Sequence, residues 1–267
     1  MNGWKKLPVL FLVCLLLAAC ATVPITGRRQ LSMIPAGTML SMSHQQYDQF
    51  LEKHELSDDK AALKMVKQVG KDIAGAVEAY LKQNDLEKRL ENYDWEFKLV
   101  KDDTINAWCM PGGKVVVYTG ILPVTKNRTG LAVVMGHEIA HAVANHGNER
   151  MSQGMLLQFG GVALSEALKT QPEATRQLWM AVYGVGGQIG LMLPYSRLHE
   201  KEADRLGLIF MAMAGYDPGA AVNFWQRMAE KKEGKNPPEF LSTHPADDTR
   251  IDNIRSIIPE AMQYYKN

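Results

Sequence analysis

The sequence predicts a mainly α-helical (α+β) fold with one small antiparallel β-sheet. Apolar residues recur at helical spacing over most of the chain, whereas alternating or valine-rich segments are confined to residues 93–119. The 267 residues are 46% hydrophobic and 22% charged, a composition that is typical of globular proteins and excludes disordered and collagen-like classes. The 30 basic and 29 acidic residues nearly cancel without forming a basic block, so we expect no nucleic-acid partner.

The first 19 residues are typical of a secretion signal. Two lysines precede an apolar run from Leu7 to Ala19, which is shorter than the about 20 residues that a helix needs to cross hydrocarbon. Residues 17–20, Leu-Ala-Ala-Cys, resemble the bacterial lipobox, in which the cysteine is acylated. We therefore predict a signal peptide over residues 1–19 and lipidation at Cys20.

The lipid anchor predicts an address in the cell envelope. In the lipoproteins that this N-terminus resembles, a residue such as Ala21 after the cysteine favours the outer membrane. We therefore expect the protein on the periplasmic face of the outer membrane rather than at the inner membrane. Residues 20–41 contain two prolines and two glycines and are predicted to be a lipidated tether to a single domain over residues 42–267. Within that domain Cys109 has no partner for an intrachain disulfide, and we expect it to be a buried apolar residue rather than a catalytic thiol.

Two helices and a sheet are predicted in the first half of the domain. Apolar residues three and four positions apart predict helices over residues 43–55 and 58–89. Residues 93–100 alternate in polarity and residues 114–119 are rich in valine, which predicts strands. The sequence Pro111-Gly112-Gly113 is typical of a turn between extended segments, and these segments form the predicted antiparallel sheet.

The second half of the domain is predicted to be almost entirely helical. The predicted helices cover residues 130–145, 154–169, 173–193, 197–214, about 217–232 and 247–258, with a proline-containing loop over residues 234–244. Asp217 followed by Pro218 is typical of a helix start. The glycine-rich stretch 178–193 is predicted to be a site of close helix packing rather than a membrane span, and it could also serve as a lid.

Residues 137–141 form the pattern His-Glu-x-x-His inside an apolar predicted helix. Four residues turn a helix by about 400°, so His137 and His141 project from nearly the same face and both imidazoles can bind one Zn²⁺. Glu138 can reach a water at the open coordination position and act as its general base. A surface histidine pair is the alternative, but the neighbouring residues are apolar, and burying these side chains without a partner would be costly. We therefore predict one zinc ion per chain.

A catalytic zinc site needs a third protein ligand. Glu200 and Asp204 lie one helical turn apart near the start of a later predicted helix. Glu200 would complete a His₂Glu site, and Asp204 could hydrogen-bond a ligand imidazole and fix its orientation. On spacing alone, a solvated charged helix start is equally compatible with these two residues.

Together these residues resemble a known group of metallopeptidases. The pattern His137-Glu138-x-x-His141 followed by Glu200-x-Glu202-Ala203-Asp204 is similar to the gluzincin family of HtpX, the CAAX prenyl proteases, BepA and LoiP. The resemblance spans nearly the whole chain after the predicted signal. It implies a zincin-like helical metalloprotease domain, Glu200 as the third ligand, and endopeptidase activity. For secreted lipoprotein members it implies turnover of misfolded or unassembled envelope proteins and contact with the envelope assembly machinery.

The resemblance also assigns further positions. It places His244 and Arg250 on the zinc side, where a cation could stabilise the oxyanion of peptide hydrolysis. His244 has two alternatives, namely a loop histidine without a function and a cap that binds zinc and holds the enzyme latent. Asn106 and Ala107 could lie in an edge strand on which an extended substrate pairs, although ordinary sheet structure explains them equally well.

A second class of function stays open at this stage. An envelope chaperone or assembly factor could use zinc for structure and bind unfolded chains with little or no proteolysis. Glu138 argues against that alternative, because a closed structural zinc site needs no general base. Both functions predict binding of unfolded or misassembled envelope polypeptides and attachment to the membrane through the lipid anchor.

Overall fold

The computed structural model describes residues 20–23, 26–232, 238–246 and 248–265. The predicted signal peptide, the side chain of the predicted lipidation site Cys20 and the predicted first residue of the last helix, 247, lie outside the described residues. The chain divides into two compact units. The first contains the described residues up to Ala36 together with Asn145–Leu198, and the second contains Gly37–Ala144 and the described residues from His199 onwards. The single domain over residues 42–267 stays a prediction.

The predicted mainly α-helical class is confirmed. Ten α-helices occur in the described residues: α1 (Ala36–Lys53), α2 (Lys60–Gln83), α3 (Leu122–Thr125), α4 (Arg128–Val143), α5 (His146–Ala167), α6 (Glu173–Gly187), α7 (Leu193–Met213), α8 (Ala220–Lys232), α9 (Phe240–Thr243) and α10 (Asp248–Ala261). Five short strands accompany them: β1 (Cys20–Thr22), β2 (Arg29–Leu31), β3 (Glu96–Val100), β4 (Ala107–Met110) and β5 (Lys114–Tyr118). A π-helical turn, Gln188–Met192, joins α6 to α7. No helix in this described part of the chain is long and apolar enough to cross a membrane.

The sheet of the second unit is mixed, so the prediction that it is antiparallel throughout is wrong. Its strand order is β3-β5-β4, with β4 antiparallel and β3 parallel to the central β5. The turn predicted at residues 111–113 does join β4 to β5, and Gly112 and Gly113 have φ angles of +88° and +86°, which side chains with a Cβ rarely adopt. The chain leaving β3 passes to the far side of β5 before β4 begins. The hairpin that follows therefore makes β5 run in the same direction as β3.

Helix α4 is the centre of the second unit. Thirteen of its 16 residues are buried, and it contacts α2, α8 and β4. Its N-terminus is capped by the side chain of Asn127, which accepts a hydrogen bond of 2.9 Å from the Gly130 N–H. Burial on nearly all sides explains why the apolar residues in this part of the sequence lack a polar face.

The first unit departs from the predicted tether. Strands β1 and β2 pair with each other inside the predicted tether, and α1 already begins at Ala36, directly after Pro35. Helix α5 begins at His146, eight residues before the predicted start at 154.

Hydrogen bonds within the first unit explain both differences. Glu149 forms an ion pair with Arg28 at 2.7 Å, and Asn148 donates to the Ile34 carbonyl at 2.7 Å. The Ser152 hydroxyl accepts from the Met33 N–H at 2.9 Å. These buried polar residues interrupt the apolar period of the sequence, but their partners allow them to continue the helix.

Candidate metal centre

Two glycines bring the two sequence motifs together in the second unit. A Cβ on Gly136 of α4 would lie 2.9 Å from the carbonyl oxygen of Gly207 of α7, and a Cβ on Gly207 would lie 2.9 Å from the carbonyl carbon of Gly136. The two helix backbones therefore touch, which few residue types other than glycine allow. His137 follows the first glycine, and Asp204 lies one turn before the second, so the helix crossing itself places these side chains next to each other.

We expect the substitution Gly207→Ala to loosen this crossing, because its Cβ would meet backbone atoms that cannot rotate away. Overpacking of this kind costs roughly 1–3 kcal/mol of the free energy of unfolding. The matched control is Gly75→Ala in α2 of the same unit, where a Cβ meets nothing within 4 Å. That substitution should be neutral or stabilise by about 0.4–1 kcal/mol. Urea unfolding of both variants checks the prediction, and equal stability of the two would contradict it.

The three predicted ligands converge on one point. The His137 Nε2 lies 3.1 Å from the His141 Nε2 and 3.4 Å from a carboxylate oxygen of Glu200. The second carboxylate oxygen of Glu200 is 3.3 Å from the His141 Nε2. Ligands of one tetrahedral zinc ion, bound at about 2.0–2.1 Å, lie about 3.3–3.4 Å apart. The observed spacing therefore fits a shared metal ion.

His244 contributes a fourth possible ligand atom. Its Nδ1 lies 3.2 Å from the His137 Nε2 and 3.0 Å from both carboxylate oxygens of Glu200. One atom from each of His137, His141, Glu200 and His244 lies within 4.8 Å of all the others, and the four side chains are buried. Helix α9 ends directly before His244, and the Phe240 ring of that helix lies 4.6 Å from the imidazole. This position inside the cluster is the one that both a catalytic role and a zinc cap require of His244.

The chemistry of the cluster also fits a cation. Buried imidazole nitrogens facing each other around a carboxylate need either protons or a metal between them. Burial lowers the pKa of His137, but hydrogen bonds that its imidazole donates to the Asp204 and Glu200 carboxylates oppose this and raise it to about 9. Burial and the neighbouring His137 lower the pKa of His141. A divalent ion would replace the proton that the carboxylates attract.

Glu138 lies beside the cluster without joining it. Its Oε1 is buried and 3.5 Å from the His244 Nε2, but it makes no hydrogen bond to any residue that the structure describes. Burial raises the pKa of this carboxyl group, although His244 and His137 nearby oppose the shift. A buried carboxylate oxygen without a protein partner is suited to accept a proton from a bound water molecule.

Arg250 binds two carboxylates of α7, those of Asp204 and Glu200. It donates to Asp204 through Nε at 3.0 Å and through Nη2 at 2.7 Å, and its Nη1 lies 3.0 Å from a Glu200 oxygen. Asp204 in turn lies 3.0 Å from the His137 Nδ1, as the predicted orienting contact requires. Burial would raise the pKa of Asp204, but Arg250 and His137 hold it below its usual value. The structure thus brings Arg250 to the carboxylates of Asp204 and Glu200, and its predicted contact with a substrate oxyanion stays a prediction.

Sequence reasoning missed Trp225, a residue of α8 that lies beneath the arginine. The Arg250 guanidinium carbon is 3.4 Å from the centroid of the indole ring, and Trp225 is fully buried. In the sequence Trp225 follows Phe224 and looks like any other aromatic core residue. Only the fold shows that it packs against Arg250.

Asn106 and Ala107 lie at the edge of the three-stranded sheet. Ala107 is the first residue of β4, which is an edge strand of that sheet and packs against α4. The Asn106 side chain accepts from the Ala107 N–H at 2.9 Å and donates to Glu239 at 3.2 Å. The edge position that was predicted for these residues is confirmed, and pairing of an extended peptide there stays a prediction. Cys109 of the same strand is partly buried, and burial raises the pKa of its thiol well above the usual value.

The chain is similar to several named proteins. The mitochondrial metalloendopeptidase OMA1 of Schizosaccharomyces pombe is 38% identical over 175 residues, which cover 65% of this chain and 49% of that protein. The OMA1 protein of Bos taurus is 32% identical over 249 residues, covering 90% of this chain and 46% of the relative. The β-barrel assembly-enhancing protease of Yersinia pestis is 32% identical over 166 residues, covering 61% of this chain and 34% of the relative. The chain therefore spans about half the length of the OMA1 relatives.

The sequence model of one protein family, described as peptidase family M48, matches residues 66–258. The matched range contains the His-Glu-x-x-His helix, the two carboxylates of α7, and His244 and Arg250. These are the residues that the fold gathers around one buried point, and the predicted placement among the gluzincin metallopeptidases is confirmed. The chain belongs to peptidase family M48.

Proposed function

We propose that this protein is a zinc-dependent endopeptidase of the bacterial cell envelope that hydrolyses misfolded or unassembled envelope proteins. The observation that carries the proposal is the buried convergence of His137, His141 and Glu200 at metal-ligand spacing. Beside it lies the buried Glu138 Oε1, which makes no hydrogen bond to any residue that the structure describes. Family M48 is a metallopeptidase family, so a metal ion and polypeptide substrates follow from membership.

Each residue of the site has a role in this proposal. His137, His141 and Glu200 hold the zinc ion, and Asp204 orients the His137 ring. Bound zinc supplies Lewis-acid chemistry to the scissile carbonyl and to the attacking water. Glu138 takes a proton from that water and delivers it to the leaving amine. Arg250 is a positioning residue, because its hydrogen bonds go to Glu200 and Asp204.

The edge of β4 supports substrate binding in this proposal. An extended polypeptide would pair with the main chain of β4 beginning at Asn106 and Ala107. Recognition through backbone groups depends little on side chains, which suits an enzyme that degrades many different unfolded proteins.

The envelope location rests on the N-terminal pattern and on one group of relatives. The lipobox-like sequence that ends at Cys20 supports a lipid anchor on the periplasmic face of the outer membrane. The Yersinia pestis relative is named for enhancing β-barrel assembly, which supports a connection to envelope assembly machinery. The OMA1 relatives are mitochondrial by name, so the cellular location of this chain is proposed from its own N-terminal sequence.

Hydrolysis of an unfolded protein tests the activity. Purified protein with one equivalent of zinc should cleave reduced, denatured casein. 1,10-phenanthroline should abolish cleavage and added zinc should restore it. The assay is run on wild type and on the His244→Ala variant, so that a capped site does not hide the activity. Stoichiometric zinc binding without chelator-sensitive cleavage by either protein would contradict the proposal and favour a chaperone that does not cut.

We propose further that His244 occupies the fourth coordination position and holds the enzyme latent. Replacing it with alanine should raise casein turnover by about tenfold if the capped state is favoured by about 1.4 kcal/mol. Zinc content should stay at one per chain, because three ligands remain. The matched control is Thr243→Ala, an adjacent exposed residue outside the cluster. Loss of activity with zinc retained would instead assign His244 to the reaction itself, and unchanged turnover would exclude both roles.

A further inference from the structure

The first compact unit carries an unusual concentration of exposed apolar side chains. Of the 13 large hydrophobic side chains that are exposed in the described residues, 11 lie between residues 151 and 198. They are Met151, Phe159, Val162, Leu178, Trp179, Val182, Val185, Ile189, Leu193, Tyr195 and Leu198, with exposed fractions from 36% to 65%. We call the part of this surface on α6 and the π-helical turn the apolar face. Such a concentration of exposed apolar side chains marks a contact site.

The apolar face follows the helix geometry. Leu178, Val182, Val185 and Ile189 are spaced by four, three and four residues, so they form one stripe along α6 and the π-helical turn. The opposite side of the helix packs on α5, where the Tyr183 hydroxyl donates to the Leu157 carbonyl at 2.9 Å.

Only some of the glycines in this stretch serve helix packing. A Cβ on Gly187 would lie 2.6 Å from Leu157, whereas one on Gly184, Gly186 or Gly190 would meet nothing within 4 Å. The close helix packing predicted for residues 178–193 therefore holds for the inner side alone. The exposed stripe needs another explanation.

Charge is arranged around the apolar face rather than within it. Residues 151–165 and 177–196 contain no charged side chain, and Arg150, Lys169, Arg176 and Arg197 lie just outside these runs. Residues 20–36 and 145–198 together contain six basic and three acidic residues, a net charge of +3. The three acidic residues are each paired with a base, as in the ion pair between Glu166 and Lys169. Aromatic and aliphatic side chains bordered by bases are typical of helices that lie in a membrane interface.

We propose that the apolar face binds the surface of an anionic phospholipid bilayer. Trp179 and the aliphatic stripe would enter the boundary between headgroups and acyl chains, and the flanking bases would contact lipid phosphates. A second copy of the chain fits less well, because a symmetric contact would bring two units of net charge +3 together. The predicted lipidation site Cys20 begins β1 of this same unit, so the anchor and the apolar face would hold one unit at the membrane. The proposal does not depend on peptide hydrolysis.

Vesicle binding tests the proposal. The protein used is the chain from residue 20 onwards with Cys20→Ser, which retains both compact units and removes any acyl anchor. It should cosediment with vesicles of phosphatidylglycerol and phosphatidylethanolamine, with a partition coefficient at least about tenfold higher than on phosphatidylcholine vesicles. The triple substitution Trp179→Ser, Val182→Ser, Ile189→Ser should lower binding at least about tenfold. The matched control, Leu56→Ser with Met262→Ser, removes two exposed hydrophobic residues of the second unit and should bind like the parent.

A spectroscopic measurement locates the contact. Lipids with brominated acyl chains should quench part of the tryptophan fluorescence of the parent protein. Trp179→Phe should still bind vesicles but lose that quenching, since the remaining tryptophans lie in the second unit.

Three results would overturn the proposal. The first is no cosedimentation of the parent protein, and the second is equal loss of binding in the triple and control variants. The third is a parent protein that does not bind vesicles but either dimerises or binds denatured casein through the apolar face. In that case the triple variant would lose the dimerisation or the casein binding. That result would assign the face to a second copy or to substrate.

Discussion

The variant Glu138→Gln should lose peptide hydrolysis while keeping its metal and its fold. Glutamine has the size of glutamate but cannot take a proton from water, and removal of a general base costs about 10²–10⁴-fold in kcat. This corresponds to roughly 3–5 kcal/mol of transition-state stabilisation. Glu138 is outside the group of four possible ligands, so zinc content should stay at one per chain.

The measurement is kcat on a fluorogenic peptide, together with zinc analysis and circular dichroism. The matched control is Glu52→Gln, which removes a carboxylate from an exposed residue of α1 in the same unit and should leave kcat unchanged. Activity within about threefold of wild type in Glu138→Gln would exclude the proposed base, since a general base contributes at least about 10². Loss of zinc together with activity would move Glu138 from base to ligand.

The second large effect is expected for Glu200→Ala. This change removes the carboxylate that lies near both motif histidines and His244, and it leaves Arg250 buried with one partner fewer. Zinc affinity should fall by more than the roughly 10–100-fold that loss of a supporting residue costs. Zinc should therefore no longer raise the melting temperature of the variant, whereas it stabilises wild type by about 2.7 kcal/mol when its concentration is 100 times Kd.

Two further variants show whether the effect of Glu200→Ala comes from loss of a zinc ligand or from loss of any buried carboxylate. Glu202→Ala removes another buried carboxylate of α7, two residues away and outside the group of possible ligands, and should keep full zinc affinity. The zinc affinity of Asp204→Asn should lie between those of Glu200→Ala and Glu202→Ala, because loss of a residue that orients a ligand lowers metal affinity by roughly 10–100-fold. Titration with zinc followed by thermal unfolding ranks all three. Equal affinity in wild type and Glu200→Ala would exclude the carboxylate as the third ligand.

Local periodicity made much of the helical structure predictable. The helix that carries the His-Glu-x-x-His pattern was predicted within two or three residues at each end, because apolar residues continue through it without a break. The turn between β4 and β5 was predicted from its two glycines. The direction of β3 relative to β5 was not predicted, because side chains alternate between the two faces of a strand in parallel and antiparallel sheets alike.

Buried polar residues account for the largest local error. Residues 146–153 continue as helix because Asn148, Glu149 and Ser152 find partners in residues 28–34 of the first unit. Their partners are more than 100 residues away in sequence. The periodicity of apolar residues therefore predicted a break in the helix at residues 146–153. Residues 28–34 were predicted to be part of a tether.

By itself the sequence determined the chemistry available to this protein. The four-residue spacing of His137 and His141 places both imidazoles on one helix face wherever that helix lies, and Glu138 is carried with them. The tertiary structure decided which distant groups join them. Backbone contact between Gly136 and Gly207 brings Glu200 and Asp204 to those imidazoles, and the end of α9 brings His244, because side-chain spacing along one helix cannot specify what a second helix or a loop places opposite it.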